Sequence, residues 1–356
     1  MSNTHVPFLP HIARMVGYVP GEQPRGGKVI KLNTNENPYP PSPLVLERLR
    51  DACGDGLRLY PDAAARGVRE RLSRLFDLPV EQILVGNGSD EILNVIVRSF
   101  AGPGDEVAMA VPTYPYYRKL LELQDAVPAE VPYPDDYSLP AELARRRAPL
   151  TLVANPNSPS GTAASRAAVE AVVEGTPGMV VLDEAYVDFA EGGFLDLVRA
   201  NPRVIVTRTM SKSFSLAGLR IGFCFAAPDV IAGLWRVKEH YNLNTLSQVA
   251  AEAALDDIDT MRSNAARVCR TRQRLTDRLH QLGLQVWESQ ANFVLARLAG
   301  RPAAEVCEAL KERGILVRYF AQPRLADCLR ISIGTDAQID VLLAELAGLL
   351  RSTPGR

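Results

Sequence analysis

The sequence predicts an α/β protein with a large domain built on a mostly parallel sheet, followed by a smaller α/β domain. Three observations carry this. The chain has 356 residues, more than a single hydrophobic core usually organises. Short apolar runs recur through it, rich in branched residues and without strict polar alternation, as in strands covered on both faces. Segments of helical period lie between several of these runs, the alternation that produces parallel sheets.

The elements follow in order. Residues 1–40 are irregular and proline-rich, ending in Asn35-Glu36-Asn37-Pro38-Tyr39-Pro40-Pro41, and read as an arm over the surface or across a subunit boundary. Residues 65–76 and 90–100 carry apolar positions at helical spacing. Strand-length runs stand at 83–85, 107–111, 150–154, 179–182, 204–207 and 221–226. Longer helical patterns fill 229–281. Further runs at 284–287, 292–298, 315–319 and 329–333 alternate with helical segments near 302–313 and 336–351. The expected division is an arm at 1–40, a large domain at 41–250 and a small domain at 251–356 that packs with the arm.

Composition excludes several classes. Forty Lys and Arg against 41 Asp and Glu give a net charge of −1, which offers no basis for binding nucleic acid or an anionic membrane. No apolar run reaches the roughly 18 residues of a membrane span. The five cysteines are scattered, with no C-x-x-C, and the four histidines show no metal-ligand spacing. This fits reduced thiols in a cytoplasmic protein rather than disulfides or zinc.

The residues after the apolar runs are the informative ones. The run at 83–85 leads into Gly86-Asn87-Gly88-Ser89-Asp90, that at 150–154 into Asn155-Pro156-Asn157, that at 179–182 into Asp183-Glu184-Ala185-Tyr186, and that at 204–207 into Thr209-Met210-Ser211-Lys212. Ligands of open parallel sheets bind beyond the carboxyl ends of the strands, so one ligand can meet Gly88, Asn155, Asp183 and Lys212 together. A helix opening at Gly88-Ser89-Asp90 offers N–H groups and a positive dipole end to a phosphate, with Ser211 and Arg220 as further donors. Asp183, if buried, needs a cationic partner, and Lys212 is a candidate amine nucleophile. Pyridoxal phosphate presents the matching phosphate, protonatable ring nitrogen and carbonyl. Taken singly, each motif is an ordinary turn, a helix cap or a surface lysine. Glu91 breaks a G-x-G-x-x-G pattern, and no Walker-type phosphate loop is present.

The run Ser211-Lys212-Ser213-Phe214-Ser215-Leu216-Ala217-Gly218-Leu219-Arg220 resembles the lysine segment of the fold-type I aminotransferases. Asn155-Pro156-Asn157 and Asp183-Glu184-Ala185-Tyr186 resemble two further motifs of that family, in the same order. Within it the chain is similar to the histidinol-phosphate branch through Tyr18-Val19-Pro20-Gly21-Glu22, Leu32-Asn33-Thr34-Asn35-Glu36-Asn37-Pro38-Tyr39, Tyr60-Pro61-Asp62 and Cys328-Leu329-Arg330-Ile331-Ser332. Pro40 stands where many relatives carry glycine.

The resemblance implies a seven-stranded, mostly parallel sheet and bound pyridoxal 5′-phosphate. It makes Lys212 the Schiff-base lysine and the base that moves the Cα proton. Asp183 would pair with the ring nitrogen, and Tyr186 and Asn155 with the ring hydroxyl oxygen. Tyr114 would stack on the ring, and Gly88, Ser89, Asp90, Ser211 and Arg220 would hold the phosphate. Tyr60 would reach the cofactor phosphate of a neighbouring subunit in a homodimer. Tyr18, Asn35, Arg318 and Arg330 would bind substrate. The implied substrates are histidinol phosphate and the glutamate/2-oxoglutarate pair, in a ping-pong transamination of histidine biosynthesis. Transamination of phenylalanine or tyrosine, decarboxylation of a phosphorylated amino acid, and an inert cofactor-binding regulator are the alternatives. The arm shows no helix-turn-helix or basic patch of the kind regulators carry.

Overall fold

Each apolar run predicted in the first two-thirds of the chain becomes a strand of one seven-stranded sheet. The computed structural model describes residues 6–17, 22–23, 29–298 and 300–351. The strands are β1 (Ile83–Gly86), β2 (Glu106–Val111), β3 (Val127–Pro132), β4 (Leu150–Ala154), β5 (Met179–Asp183), β6 (Val204–Thr209) and β7 (Gly222–Phe225), in the spatial order β1-β7-β6-β5-β4-β2-β3. β7 is antiparallel to both its neighbours, and the remaining pairs are parallel.

The missing polar alternation has a direct cause. Val180, Leu182, Val204 and Val206 pack into one apolar layer, while Val181 and Ile205 pack into the opposite one. Both faces of the central strands are therefore core, and every second residue is apolar on each side. β3 escaped sequence reading because it contains Pro128 and Pro132, which argue against a central strand. It is an edge strand, where proline is tolerated.

A second sheet collects the last third of the chain: β8 (Gln285–Val286), β9 (Phe293–Arg297), β10 (Arg318–Tyr319) and β11 (Cys328–Ser332), in the order β10-β11-β9-β8. The predicted run 315–319 is split, since Ile315–Leu316 leaves this sheet to pair in parallel with Ile30–Lys31. Val294, Leu329 and Ile331 pack with Leu275, Leu279, Ile339 and Leu342 from the Ile258–Gln281 and Asp336–Arg351 helices.

The segment 30–37 is stitched to this second sheet. Leu32 N–H donates to Leu316 O at 2.8 Å, and Ser332 N–H to Leu32 O at 2.9 Å. Asn35, at φ 57°, donates its N–H to Ser332 Oγ at 2.8 Å, and that hydroxyl donates back to Asn35 Oδ1 at 2.8 Å. Asn292 Nδ2 donates to Asn35 O at 2.9 Å. Ser332→Ala removes the acceptor of a buried N–H, and should lower stability in urea unfolding by about 1–3 kcal/mol. An unchanged midpoint would mean that the clamp contributes nothing.

Candidate active site

The carboxyl ends of β4, β5 and β6 open into one cleft, where parallel strands place their ligands. Its walls include Ser89, Asp90, Tyr114, Asp183, Tyr186, Ser211, Lys212 and Arg220, so residues separated by more than a hundred positions meet there. A wider mouth adjoins it, lined among others by Asn33, Asn35, Tyr186, Lys212, Arg318 and Arg330.

At one end, the Ser89–Phe100 helix begins from Gly88, whose φ of 89° favours glycine. A Cβ on Gly88 would come within 2.5 Å of Arg220 Nη2, and one on Gly222 within 2.2 Å of Ser89 N. The cradle is thus built by close backbone approach. Arg220 sits over it, with Nη2 3.1 Å from Asp90 Oδ2 and Nη1 3.3 Å from Ser211 Oγ. Tyr114 donates its hydroxyl to Asp90 Oδ1 at 3.1 Å. Helix N–H groups, a guanidinium and a hydroxyl together suit an anion. The Asp90 carboxylate orients Arg220 and Tyr114 within it, leaving the backbone N–H groups of the helix start for the anion.

At the other end, Asp183 closes β5 and is 6% exposed. Burial raises it to about 6 from its usual 3.8, opposed by the hydroxyls of Tyr117 and Thr207. Tyr117 donates at 2.7 Å and Thr207 at 3.1 Å. Both donors are neutral, so the carboxylate has room for a cationic ring nitrogen. Sequence reading missed Tyr117. The available signal was its place three residues after Tyr114, on the first turn of the Tyr116–Leu123 helix. The neighbouring Glu184 faces away from the cleft and is held by a two-bond fork from Arg208, at 2.9 and 2.7 Å.

Lys212 Nζ lies 3.5 Å from Thr34 O and 5.7 Å from the centre of the Tyr186 ring. Its main chain is held by Asn37, whose Nδ2 donates to Lys212 O at 3.2 Å and Ser213 O at 3.0 Å. Tyr186 accepts from Asn35 Nδ2 at 3.0 Å, so Asn35 supports Tyr186 as well as lining the mouth. Asn155 is buried, and its Oδ1 accepts from Ala164 N–H at 2.7 Å, which fixes its NH2 as the donor end.

Arg318 and Arg330 are direct partners across β10 and β11, so they share a face. Arg330 donates to Ser158 Oγ and Asn33 O, both at 3.1 Å, and its guanidinium lies 5.2 Å from the Phe293 ring and 5.3 Å from Phe320. Tyr60 does not line this cleft. It is 81% exposed and stacks on Tyr241 at 4.5 Å. Tyr18 lies outside the described residues. Among the described residues no helix is long and apolar enough to cross a membrane, and no cluster of three or more His, Cys, Asp or Glu side chains is placed to hold a metal ion.

The cleft therefore fits a flat molecule with a phosphate at one end, a protonated ring nitrogen at the other and a carbonyl near Lys212. The chain matches the family model of class I and II aminotransferases over residues 27–346. It is 45% identical over 346 residues to histidinol-phosphate aminotransferase 1 of Trichormus variabilis, covering 97% of this chain and 99% of the relative. It is 46% identical to histidinol-phosphate aminotransferase of Geotalea uraniireducens, covering 96% and 99%. The crystal structure of histidinol-phosphate aminotransferase from Sinorhizobium meliloti, in complex with pyridoxal-5′-phosphate, superposes with a TM-score of 0.88 at 29% identity, covering 97% of each chain.

The Asp183 environment makes a pH prediction for the cofactor-free protein. Its folded value is raised, so the carboxyl favours folding fully below about 3.8 and loses that contribution as pH climbs through about 6. Asp183→Asn should therefore gain stability relative to the parent between those values, levelling off at about 3 kcal/mol. A difference that is flat from pH 4 to 7 would contradict the assignment.

Proposed function

The chain belongs to the class I and II aminotransferases, and from that premise we propose that it transfers the amino group of L-histidinol phosphate to 2-oxoglutarate, using pyridoxal 5′-phosphate. The products are imidazole acetol phosphate and L-glutamate, and the reaction belongs to histidine biosynthesis. The observation that carries the reading is the meeting of the Lys212 amine, the buried Asp183 carboxylate and the Gly88–Ser89–Arg220 anion cradle in one cleft. Relatives of nearly the same length bear the name of this activity.

When bound, the cofactor supplies a carbonyl carbon that condenses with amines and a ring that takes up the electrons left when a Cα–H bond breaks. Ser89, Asp90, Ser211 and Arg220 would hold its phosphate, the first two through backbone N–H groups. Asp183, held in place by the Tyr117 and Thr207 hydroxyls, would keep the proton on the ring nitrogen. Asn155 and Tyr186 would hydrogen-bond the ring hydroxyl oxygen, and Tyr114 would cover one ring face. Lys212 would be the amine that holds the cofactor's carbonyl carbon and the base that moves the substrate's Cα proton. Thr34 and Asn37 keep the Lys212 amine and main chain at the mouth during this exchange.

Arg318 and Arg330 bind the substrate anion. Like charges directly opposite on a sheet repel each other, and a phosphate or carboxylate between the two guanidiniums relieves that repulsion. Tyr60 is assigned to the neighbouring subunit of a homodimer: its exposure, and that of Leu57, Leu59 and Tyr241, support a second copy covering this corner. The five cysteines are all free thiols, in keeping with a cytoplasmic enzyme.

The test is single-turnover loss of the cofactor's visible band with separate amino donors. Fast loss with L-histidinol phosphate and L-glutamate, and slow loss with L-phenylalanine and L-tyrosine, is expected. Fast loss with the aromatic amino acids and none with histidinol phosphate would overturn the substrate. Lys212→Ala should abolish turnover, and a variant that still cycles would end the proposal. Arg330→Lys replaces a fork by a point charge, and should raise the KM for histidinol phosphate about tenfold or more; an unchanged KM would remove Arg330 from the substrate site.

A further inference from the structure

Lys238 is a buried cation with no part in the chemistry above. It is 7% exposed, and burial lowers its pKa, with Glu91 and Glu239 opposing the shift. Its ammonium lies 4.8 Å from the Trp235 ring and donates to Asn242 Oδ1 at 2.7 Å and Glu239 O at 2.6 Å. A buried ammonium occupied in this way holds its neighbours in place.

What it holds leads to the phosphate cradle. The Asn242 amide, pinned by Lys238 at its oxygen, donates from Nδ2 to Glu91 Oε2 at 2.6 Å. The same carboxylate oxygen accepts the Asn87 N–H at 2.5 Å. Asn87 lies inside the turn that delivers Gly88 and Ser89 to the anion site. Gly86 opens that turn, and a Cβ there would come within 2.7 Å of Glu91 Oε2. The carboxylate thus packs against the turn at two points.

The other end of the chain of bonds reaches the segment that carries Tyr60. Lys238 Nζ lies 3.5 Å from Ala63 O, and Gln248 Nε2 bridges Asp62 O at 2.8 Å and Leu243 O at 2.9 Å. Tyr241, next to Asn242, stacks on Tyr60.

We propose that Glu91, Asn242 and Lys238 are positioning residues for the cofactor phosphate: their hydrogen bonds set the Gly86–Ser89 turn in the register that presents the Ser89 and Asp90 N–H groups of the helix start, and tie that turn to the Tyr60 segment. The proposal rests on the pyridoxal-phosphate reading of the cleft. None of the three side chains needs to touch the phosphate, since each acts through the turn.

The experiment titrates the cofactor-free full chain with pyridoxal 5′-phosphate, following visible absorbance and the 31P resonance of the bound phosphate. Wild type is compared with Glu91→Ala, Glu91→Gln and Asn242→Ala, and the Tm of each unliganded form is recorded. Glu91→Ala and Asn242→Ala should weaken binding about tenfold and move the 31P resonance. Glu91→Gln keeps an oxygen able to accept both bonds, and should bind within about twofold of wild type. Wild-type affinity and resonance in both truncated variants would overturn the proposal, as would a Gln variant as weak as the Ala variant. A wild-type chain that fails to bind the cofactor would overturn the functional reading itself.

Discussion

The Asp183 carboxylate stands at the end of a central strand, almost wholly out of water, and the cost of keeping it there constrains its surroundings. A charge so placed demands hydrogen-bond donors and a cationic partner. The protein supplies two hydroxyls, from Tyr117 and Thr207, and leaves the cationic position to the ligand. Tyr117 comes from the helix after β2 and Thr207 from β6, so satisfying one acid fixes three adjacent parts of the sheet relative to one another. The phosphate cradle and Lys212 then fall at separations set by the spacing of strands.

The second constraint joins the two sheets. Lys212 rises from a loop after β6, yet its main chain is held by Asn37 and its amine lies beside Thr34. Those residues belong to a segment clamped to β11 through Asn35 and Ser332. Arg330, two residues before Ser332 on the same strand, donates to Asn33 O in that segment. Arg330, Lys212 and Tyr186 are therefore all held by one short stretch, 33–37, which gives this irregular piece of chain a structural reason for its unusual asparagine content. An asparagine side chain both donates and accepts, so a few of them bridge backbone that has no sheet partner.

Much of this was legible from residue types in order. The central strands announced themselves because apolar residues on both faces leave a continuous run, and the polar residues just beyond them named the cleft. The need for glycine at 222 was not legible, because its contact with Ser89 joins positions far apart in sequence. Less was visible where function depends on a side chain reaching across the fold. Neither Tyr117 nor Lys238 was singled out in the sequence, and Glu91 figured only as a break in a glycine motif. β3 was hidden by its prolines, and the run at 315–319 concealed two short strands that serve different sheets.

Lys212, among all the lysines of the chain, is the one proposed to carry the cofactor. Borohydride reduction of the purified holoenzyme followed by proteolysis and mass spectrometry tests it directly. The phosphopyridoxyl group is expected on the peptide containing Ser211-Lys212-Ser213. Its recovery on Lys119 or Lys238, or on no lysine at all, would overturn the assignment of Lys212.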